Sequence, residues 1–160
     1  MLKLYKNIDG ILHYWETWDK NEKTGIVHWG IIGQKGQDKE VKSGLFSNFR
    51  KEIQKEVKLK MVDGYQQIEP DDHYTLLIEF KVVDMGTPED VDKRHRLENK
   101  MNEALGWTGL GDCDGGSIGS GTMEVCCFVV DFETAKKVIE ETLKDNEFSN
   151  YSRIYDENAV

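Results

Sequence analysis

The chain has 160 residues, of which 38% are hydrophobic and 32% are charged, and its formal net charge is −9 at pH 7. This composition is typical of a soluble globular protein with one or two domains, and it contains no apolar run of the roughly 18 residues that a membrane-spanning helix needs. The first residues also lack the apolar core of a signal peptide. We therefore expect a cytoplasmic protein without a membrane partner.

The charge is unevenly distributed along the chain. Residues 1–69 contain 12 Lys and Arg against 10 Asp and Glu, which gives a net charge of +2. Residues 70–160 contain 9 against 20, which gives −11. Pro70 and the acidic residues beside it interrupt the strand and helix patterns at the same point. These changes predict two domains, covering residues 1–69 and 70–160.

Residues 1–69 are predicted to form four strands followed by one helix. Segments rich in aromatic and β-branched residues predict strands over 2–6, 12–18, 26–32 and 38–42. In the helix, apolar residues recur at steps of three or four and predict one buried face; they are Phe46, Phe49, Ile53, Val57 and Met61. Gly64 is expected to end this helix.

The third strand leads into a glycine-rich turn that carries the pattern W-G-x-x-G-x-x-G-Q. Its residues are Trp29, Gly30, Ile31, Gly33, Gly36 and Gln37. Together with the aromatic second strand, the lysine-bearing helix and Gly64-Tyr65, this pattern resembles the WGR domain of DNA-dependent poly(ADP-ribose) polymerases and bacterial proteins. The Arg that gives the family its third letter is replaced here by Ile31.

The resemblance implies a module that packs on DNA near a strand end. Trp29 would be the carried-over contact, and Lys35, Lys51 and Lys55 would contact phosphates. Because Ile31 removes the family guanidinium and a net charge of +2 is small, we expect any nucleic-acid binding to be weak. The alternative for Trp29 is a core aromatic residue between the sheet and the helix.

Residues 70–160 are predicted to have the order βαββαβ, which is the ferredoxin-like arrangement. Strands are expected over 74–83, around 107–113, over 122–130 and over 149–155. Thr87-Pro88-Glu89-Asp90 predicts a helix start, and Asp131 is expected to cap a second helix. The fold class is thus α+β, with a WGR-like antiparallel sheet and one helix followed by a ferredoxin-like domain. The stretch from Asp112 to Gly121 is also similar to segments of small bacterial ferredoxin-like proteins.

The glycine-rich stretch 106–121 matches no known ligand-binding motif. It lacks the Lys of a phosphate loop, the third Gly of a dinucleotide fingerprint and the acidic residues of an EF-hand. It is therefore predicted to be a hairpin with an irregular or bulged strand. Cys113, Cys126 and Cys127 lack the C-x-x-C spacing of a zinc site, so we expect no metal and no cofactor. One of the adjacent Cys126 and Cys127 must face the core.

No catalytic constellation can be placed from residue spacing, so we expect a non-enzymatic binding protein. The acidic second domain is suited to a protein partner of basic character, as in immunity or inhibitor proteins that neutralise basic toxins. The alternative is nucleic-acid contact, such as with a DNA end, through the WGR-like domain.

Overall fold

The computed structural model describes residues 1–159, which form an α+β structure with two antiparallel four-stranded sheets and three helices. The first half comprises β1 (Leu2–Ile8), β2 (Ile11–Asn21), β3 (Thr24–Ile31), β4 (Gln37–Lys42) and α1 (Phe49–Val62). A 3-10 turn (Pro70–Asp72) follows, and the second half comprises β5 (Tyr74–Lys81), α2 (Pro88–Gly106), β6 (Gly111–Gly119), β7 (Thr122–Val129), α3 (Phe132–Leu143) and β8 (Arg153–Asp156). No helix in these residues is long and apolar enough to cross a membrane.

The first sheet has the order β1-β2-β3-β4 and carries α1 on one face. Because side chains alternate along a strand, residues of three strands point together at the helix. With α1 they form one buried cluster: Leu4, Trp15, Val27, Phe49, Ile53, Val57 and Tyr65. Gly64, with a φ of +94°, follows the helix end as predicted.

Two residues of the predicted apolar face of α1 are exposed. The Asn48 side chain accepts hydrogen bonds from the amides of Arg50 and Lys51, so the helix begins only at Phe49. Phe46 therefore lies in the preceding loop, where its side chain is fully exposed, and Met61 in the last turn is 58% exposed. The buried face of the helix is shorter than the periodicity predicted.

The second sheet has the order β6-β7-β5-β8, and α2 and α3 bury one of its faces. Both predicted helix starts are confirmed. Thr87 and Asp90 form a reciprocal capping box at α2, and Asp131 accepts a hydrogen bond from the Thr134 amide at α3. The glycine-rich stretch is a hairpin, as expected. Its strand β6 pairs with β7 and has a register shift between Cys113 and Gly116.

Two strands of the second half are displaced from their predicted positions. The strand expected around 107–113 begins at Gly111, because α2 continues to Gly106 and Trp107 caps its C-terminal end. The strand expected over 149–155 is only Arg153–Asp156. The strand begins later than predicted because the residues before it form a turn, in which the Asn146 side chain accepts a hydrogen bond from the Phe148 amide.

The face of the first sheet that α1 leaves open contacts residues 107–112 of the second half. The Tyr5 hydroxyl donates to the Gly109 carbonyl at 3.2 Å, and the Gly33 amide donates to the Thr108 carbonyl at 2.9 Å. Gly109 has a φ of +67°, and a Cβ there would lie 2.2 Å from Cδ1 of Tyr14. Only glycine therefore allows this close approach. We call this surface the interface between the two halves.

Candidate functional site

The WGR-like motif residues come together where β3 ends and β4 begins. A depression of about 320 Å³ is lined by Trp29, Gly30, Ile31, Gly36, Gln37 and Lys35, among others. Gly33 does not line the depression, because its amide bonds to the second half. At Gly36 a Cβ would lie 2.2 Å from the Trp29 carbonyl oxygen and 2.1 Å from the Tyr14 hydroxyl. Gly36 is therefore required by close packing within this turn.

The four residues predicted to contact nucleic acid do not share one surface. Trp29 is half-buried and packs against the hydrophobic cluster under α1, while its edge reaches the depression that Lys35 also lines. The Lys35 ammonium lies 5.9 Å from the centroid of the Trp107 ring, at the second half. Lys51 and Lys55 are exposed on α1 and do not line this depression.

A chain of three buried polar side chains lies on the face of the first sheet that meets the second half. Glu16 and His28 are register partners on β2 and β3, with 4% and 0% exposure. The His28 Nδ1 atom lies 2.7 Å from the Glu16 Oε1 atom, and Nε2 lies 3.1 Å from the Tyr14 hydroxyl. A carboxylate can only accept, so Nδ1–H donates to Glu16 and each buried group has a partner.

The charge of Glu16 affects the two tyrosines nearest to it. Burial, and then the Glu16 carboxylate, raise the pKa of Tyr14 to about 12, although the Gly36 amide acts in the opposite direction. Burial and the same carboxylate also raise the pKa of Tyr5 well above its ordinary value. Both hydroxyls therefore keep their protons at neutral pH and act as hydrogen-bond donors.

Beside this chain lies a second cavity of about 320 Å³, between the two halves. Trp18 of the first half and Trp107 of the second line it, with ring centroids 6.3 Å apart and planes at 79°. The His28 ring meets both indoles edge to face, at 6.1 and 5.1 Å. Glu16 lines the same cavity, and Lys3 and Asp112 form an ion pair at 3.7 Å in its lining. This cavity combines aromatic walls with a few polar groups, as ligand sites commonly do.

The second sheet carries acidic side chains on the face that its helices leave uncovered, which we call the acidic face. Glu79 and Glu124 are register partners on it, and Glu124, Asp114 and Glu157 all act on the thiol of Cys126. Arg153 pairs with Glu79 at 2.7 Å. Tyr155 donates to Glu124, and this hydrogen bond raises the Tyr155 pKa to about 12. Four of the 20 acidic residues of this half therefore lie on or beside this open surface, whereas α2 and α3 together carry eight.

The three cysteines are free thiols. Cys127 faces the core of the second half and pairs in register with the buried Cys113, which confirms that one of the adjacent cysteines is internal. The hydrogen bond with Cys113, followed by burial, raises the pKa of Cys127, and burial raises that of Cys126 to about 11. Little thiolate of Cys126 or Cys127 therefore forms at neutral pH. Across residues 1–159, no group of His, Cys, Asp and Glu is arranged to hold a metal ion.

The Glu16–His28 pair and the Trp18–Trp107 pair were not predicted from the sequence. The available signal was Glu16 itself, a charged residue in the middle of the aromatic strand Leu12–Trp18. Its partner depends on the register between β2 and β3, and Trp107 depends on how the two halves meet. Neither can be deduced from periodicity along a single element.

Comparison of the chain with models of protein families, with curated proteins and with solved structures gives no match. The resemblances to the WGR and ferredoxin-like domains therefore stay predictions.

Proposed function

We propose that the protein is a non-enzymatic, two-domain binding protein that recognises a basic protein partner on the acidic face of its second half. One observation carries the proposal, namely that Glu79 and Glu124 are register partners on the uncovered sheet face, with Asp114 and Glu157 close enough to raise the pKa of the neighbouring Cys126 thiol. Two cations lie on this face: Arg153, which is paired with Glu79, and the exposed Lys81 at the end of β5. The field above the sheet is therefore negative and attracts a positively charged surface.

The shape of the second half supports the same role. A four-stranded sheet with both helices on one side leaves its other side free as a binding platform. The strand order β6-β7-β5-β8 is the order of a ferredoxin-like domain, and a four-stranded sheet with one helix suits a WGR-like domain before it. The two hydrophobic clusters draw their buried residues from opposite sides of residue 69, which supports domains 1–69 and 70–160. Three free thiols are consistent with the reducing cytoplasm.

Immunity or inhibitor activity is the form of binding that this charge favours. An inhibitor of a basic nuclease or similar toxin gains association rate from opposite charge, and that gain falls as salt increases. The hydrogen bond between the Tyr155 hydroxyl and the Glu124 carboxylate holds both groups in place. Their oxygen atoms would accept hydrogen bonds from Arg or Lys side chains of the partner.

The test is a pull-down from nuclease-treated native lysate with three versions of the full chain. The native chain is compared with Asp114→Asn/Glu124→Gln, which neutralises the acidic face, and with Glu140→Gln/Glu141→Gln. The second variant removes the same charge from exposed positions on α3. We expect a basic protein to be retained by the native chain and by the α3 variant and lost with the acidic-face variant. Equal retention by all three would contradict the proposal.

A second candidate function is nucleic-acid contact through the first half. It rests on the grouping of the motif residues around one depression and on the exposed lysines of α1. Lys51 and Lys55 have no ion-pair partner among residues 1–159, so their charges remain available for phosphates. Capture that disappears on nuclease treatment would favour this function over the first.

A further inference from the structure

We propose that the cavity between Trp18 and Trp107 is a binding site for a small organic ammonium ion, with the carboxylate of Glu16 as its counter-charge. This site lies at the interface between the two halves, where Asp112 at the start of β6 lines it, and its ligand differs from the basic protein proposed above. Three features point to a cation: the arrangement of the aromatic rings, the charge of the lining side chains, and an oxygen of Glu16 that has no hydrogen-bond partner within residues 1–159.

The aromatic walls are arranged for a cation. The Trp18 and Trp107 planes are nearly perpendicular, at 79°, so the two indoles form a corner instead of a closed stack. A cation beside such a corner is attracted by the electron-rich ring faces, and tryptophan attracts cations most strongly of the three aromatic residues. The chain itself already shows this preference, because the ammonium of Lys35 lies 5.9 Å from the centroid of Trp107. Lys35 does not line this cavity but a separate depression with Lys100 and Glu103.

The charged side chains of the lining also favour a cation. Lys3, Glu16 and Asp112 carry the charged side chains, and Lys3 is paired with Asp112; the α-ammonium of Met1, another lining residue, is a further charged group. With His28 counted as neutral, the lining side chains carry a net charge of −1, which resides on Glu16. Little water surrounds this carboxylate, since it is 4% exposed, so its field on a ligand in the cavity is weakly screened.

Glu16 is also oriented toward the cavity. Its Oε1 atom accepts from His28, which is held by Tyr14 at its other nitrogen, so the carboxylate cannot rotate freely. Its Oε2 atom has no hydrogen-bond partner within residues 1–159 and is not a fully buried atom. That oxygen is available to accept from an N–H donor. The cavity volume of about 320 Å³ suits only a compact ligand, such as an alkylamine or a methylated ammonium group.

The experiment is an NMR titration of the full chain, followed on the indole N–H signals. Choline is the quaternary probe, butylammonium is the probe that can donate to Glu16, and 3,3-dimethylbutan-1-ol is the uncharged isostere of choline. We expect saturable shifts at Trp18 and Trp107 with both cations, and binding of the isostere weaker by roughly three- to thirty-fold, which is the range of a cation–π contribution. Isostere binding as strong as that of choline would overturn the proposal, as would the absence of saturable shifts with either cation.

Two variants locate the binding and keep the test valid if one of them is unstable. Trp107→Leu changes a residue that is 39% exposed, and we expect it to weaken choline binding by roughly three- to thirty-fold. Glu16→Gln removes the charge but keeps the shape, and we expect it to weaken both cations by a similar factor. Phe46→Leu, at a fully exposed position outside this cavity, is the matched control and should leave both affinities unchanged. Unchanged binding of both cations to a folded Trp107→Leu variant would place the site elsewhere and contradict the proposal.

Discussion

The substitution Glu16→Ala tests the buried hydrogen-bond chain at the interface between the two halves. It removes the carboxylate to which Nδ1 of the fully enclosed His28 side chain donates, and leaves that N–H without its partner. An unpaired buried donor costs about 1–3 kcal/mol of folding free energy. For a chain of this length, each kcal/mol lowers the melting temperature by about 2–4 °C, so we expect a decrease of about 2–12 °C. Urea unfolding followed by tryptophan fluorescence measures the loss directly.

Matched variants separate the loss of the hydrogen bond from the loss of a negative charge. Glu16→Gln keeps an acceptor oxygen near Nδ1 and should destabilise less than Glu16→Ala. Glu40→Ala removes a surface carboxylate of β4 that pairs with Lys20 and Lys42, and because exposed ion pairs contribute little, it should change the free energy of unfolding by no more than about 1 kcal/mol. A double-mutant cycle with Tyr14→Phe should give a coupling energy of about 0.5–3 kcal/mol, since both residues bond to one imidazole. If Glu16→Ala costs no more than Glu40→Ala, the buried chain does not stabilise the fold and the reasoning is wrong.

Four further outcomes are expected. A fragment of residues 1–69 should fold alone but with marginal stability, because a domain of that size buries only about 60% of the surface that its unfolded chain exposes. If circular dichroism shows the fragment to be disordered while the full chain is folded, the domain boundary at residue 69 is wrong. Tyr14 should lower the free energy of unfolding between pH 10 and 12 by up to about 1.4 kcal/mol per pH unit, because its pKa is raised to about 12 and the unfolded chain loses this proton first. Tyr5 and Tyr155, whose pKa values are also raised, add to the total slope, and Tyr14→Phe should reduce that slope in urea titrations across pH. DNA binding by the native chain should be weak, and the logarithm of its affinity should fall with the logarithm of salt concentration with a slope of about −0.9 per phosphate contact. Ile31→Arg, at a half-exposed position, should strengthen DNA binding by about 1–3 kcal/mol without lowering the melting temperature. A folded variant with unchanged DNA affinity would count against nucleic-acid contact. Elemental analysis should find no stoichiometric zinc, and zinc that disappears in Cys113→Ser would show the opposite.

The helix starts and the irregular strand could be predicted because the residues that determine them are close together in the sequence. Asp131 and the Thr87–Asp90 box mark helix starts because a capping side chain binds amides two or three residues away, and both are present in the structure. The irregular β6 was predicted from its glycines alone. Phe46 shows the limit of such reasoning, because it has the helical spacing but precedes the capping residue Asn48, and capping decides where the helix begins.

The candidate sites depend on contacts between distant parts of the chain. Glu16 and His28 meet only because β2 and β3 pair in one register, and a shift of one residue would turn one of them to the opposite face. Trp107 reaches Trp18 only because the close approach at Gly109 brings residues 107–112 onto the first sheet. Trp29, in contrast, was correctly considered as a possible core residue, and the structure shows its half-buried packing against the cluster under α1.

The covering of the first sheet by residues 107–112 has a consequence for synthesis on the ribosome. A nascent chain that has just released residues 1–69 can assemble β1–β4 with α1, but the opposite face of that sheet still lacks its cover. About 40 more residues must be added before Trp107–Asp112 emerge, which takes roughly 2–8 s at about 5–20 residues per second. During that interval Tyr14, Trp18 and His28 are exposed to solvent. A chaperone that shields aromatic surface would act most usefully on this intermediate, and slowing translation after residue 69 should increase aggregation of the nascent chain.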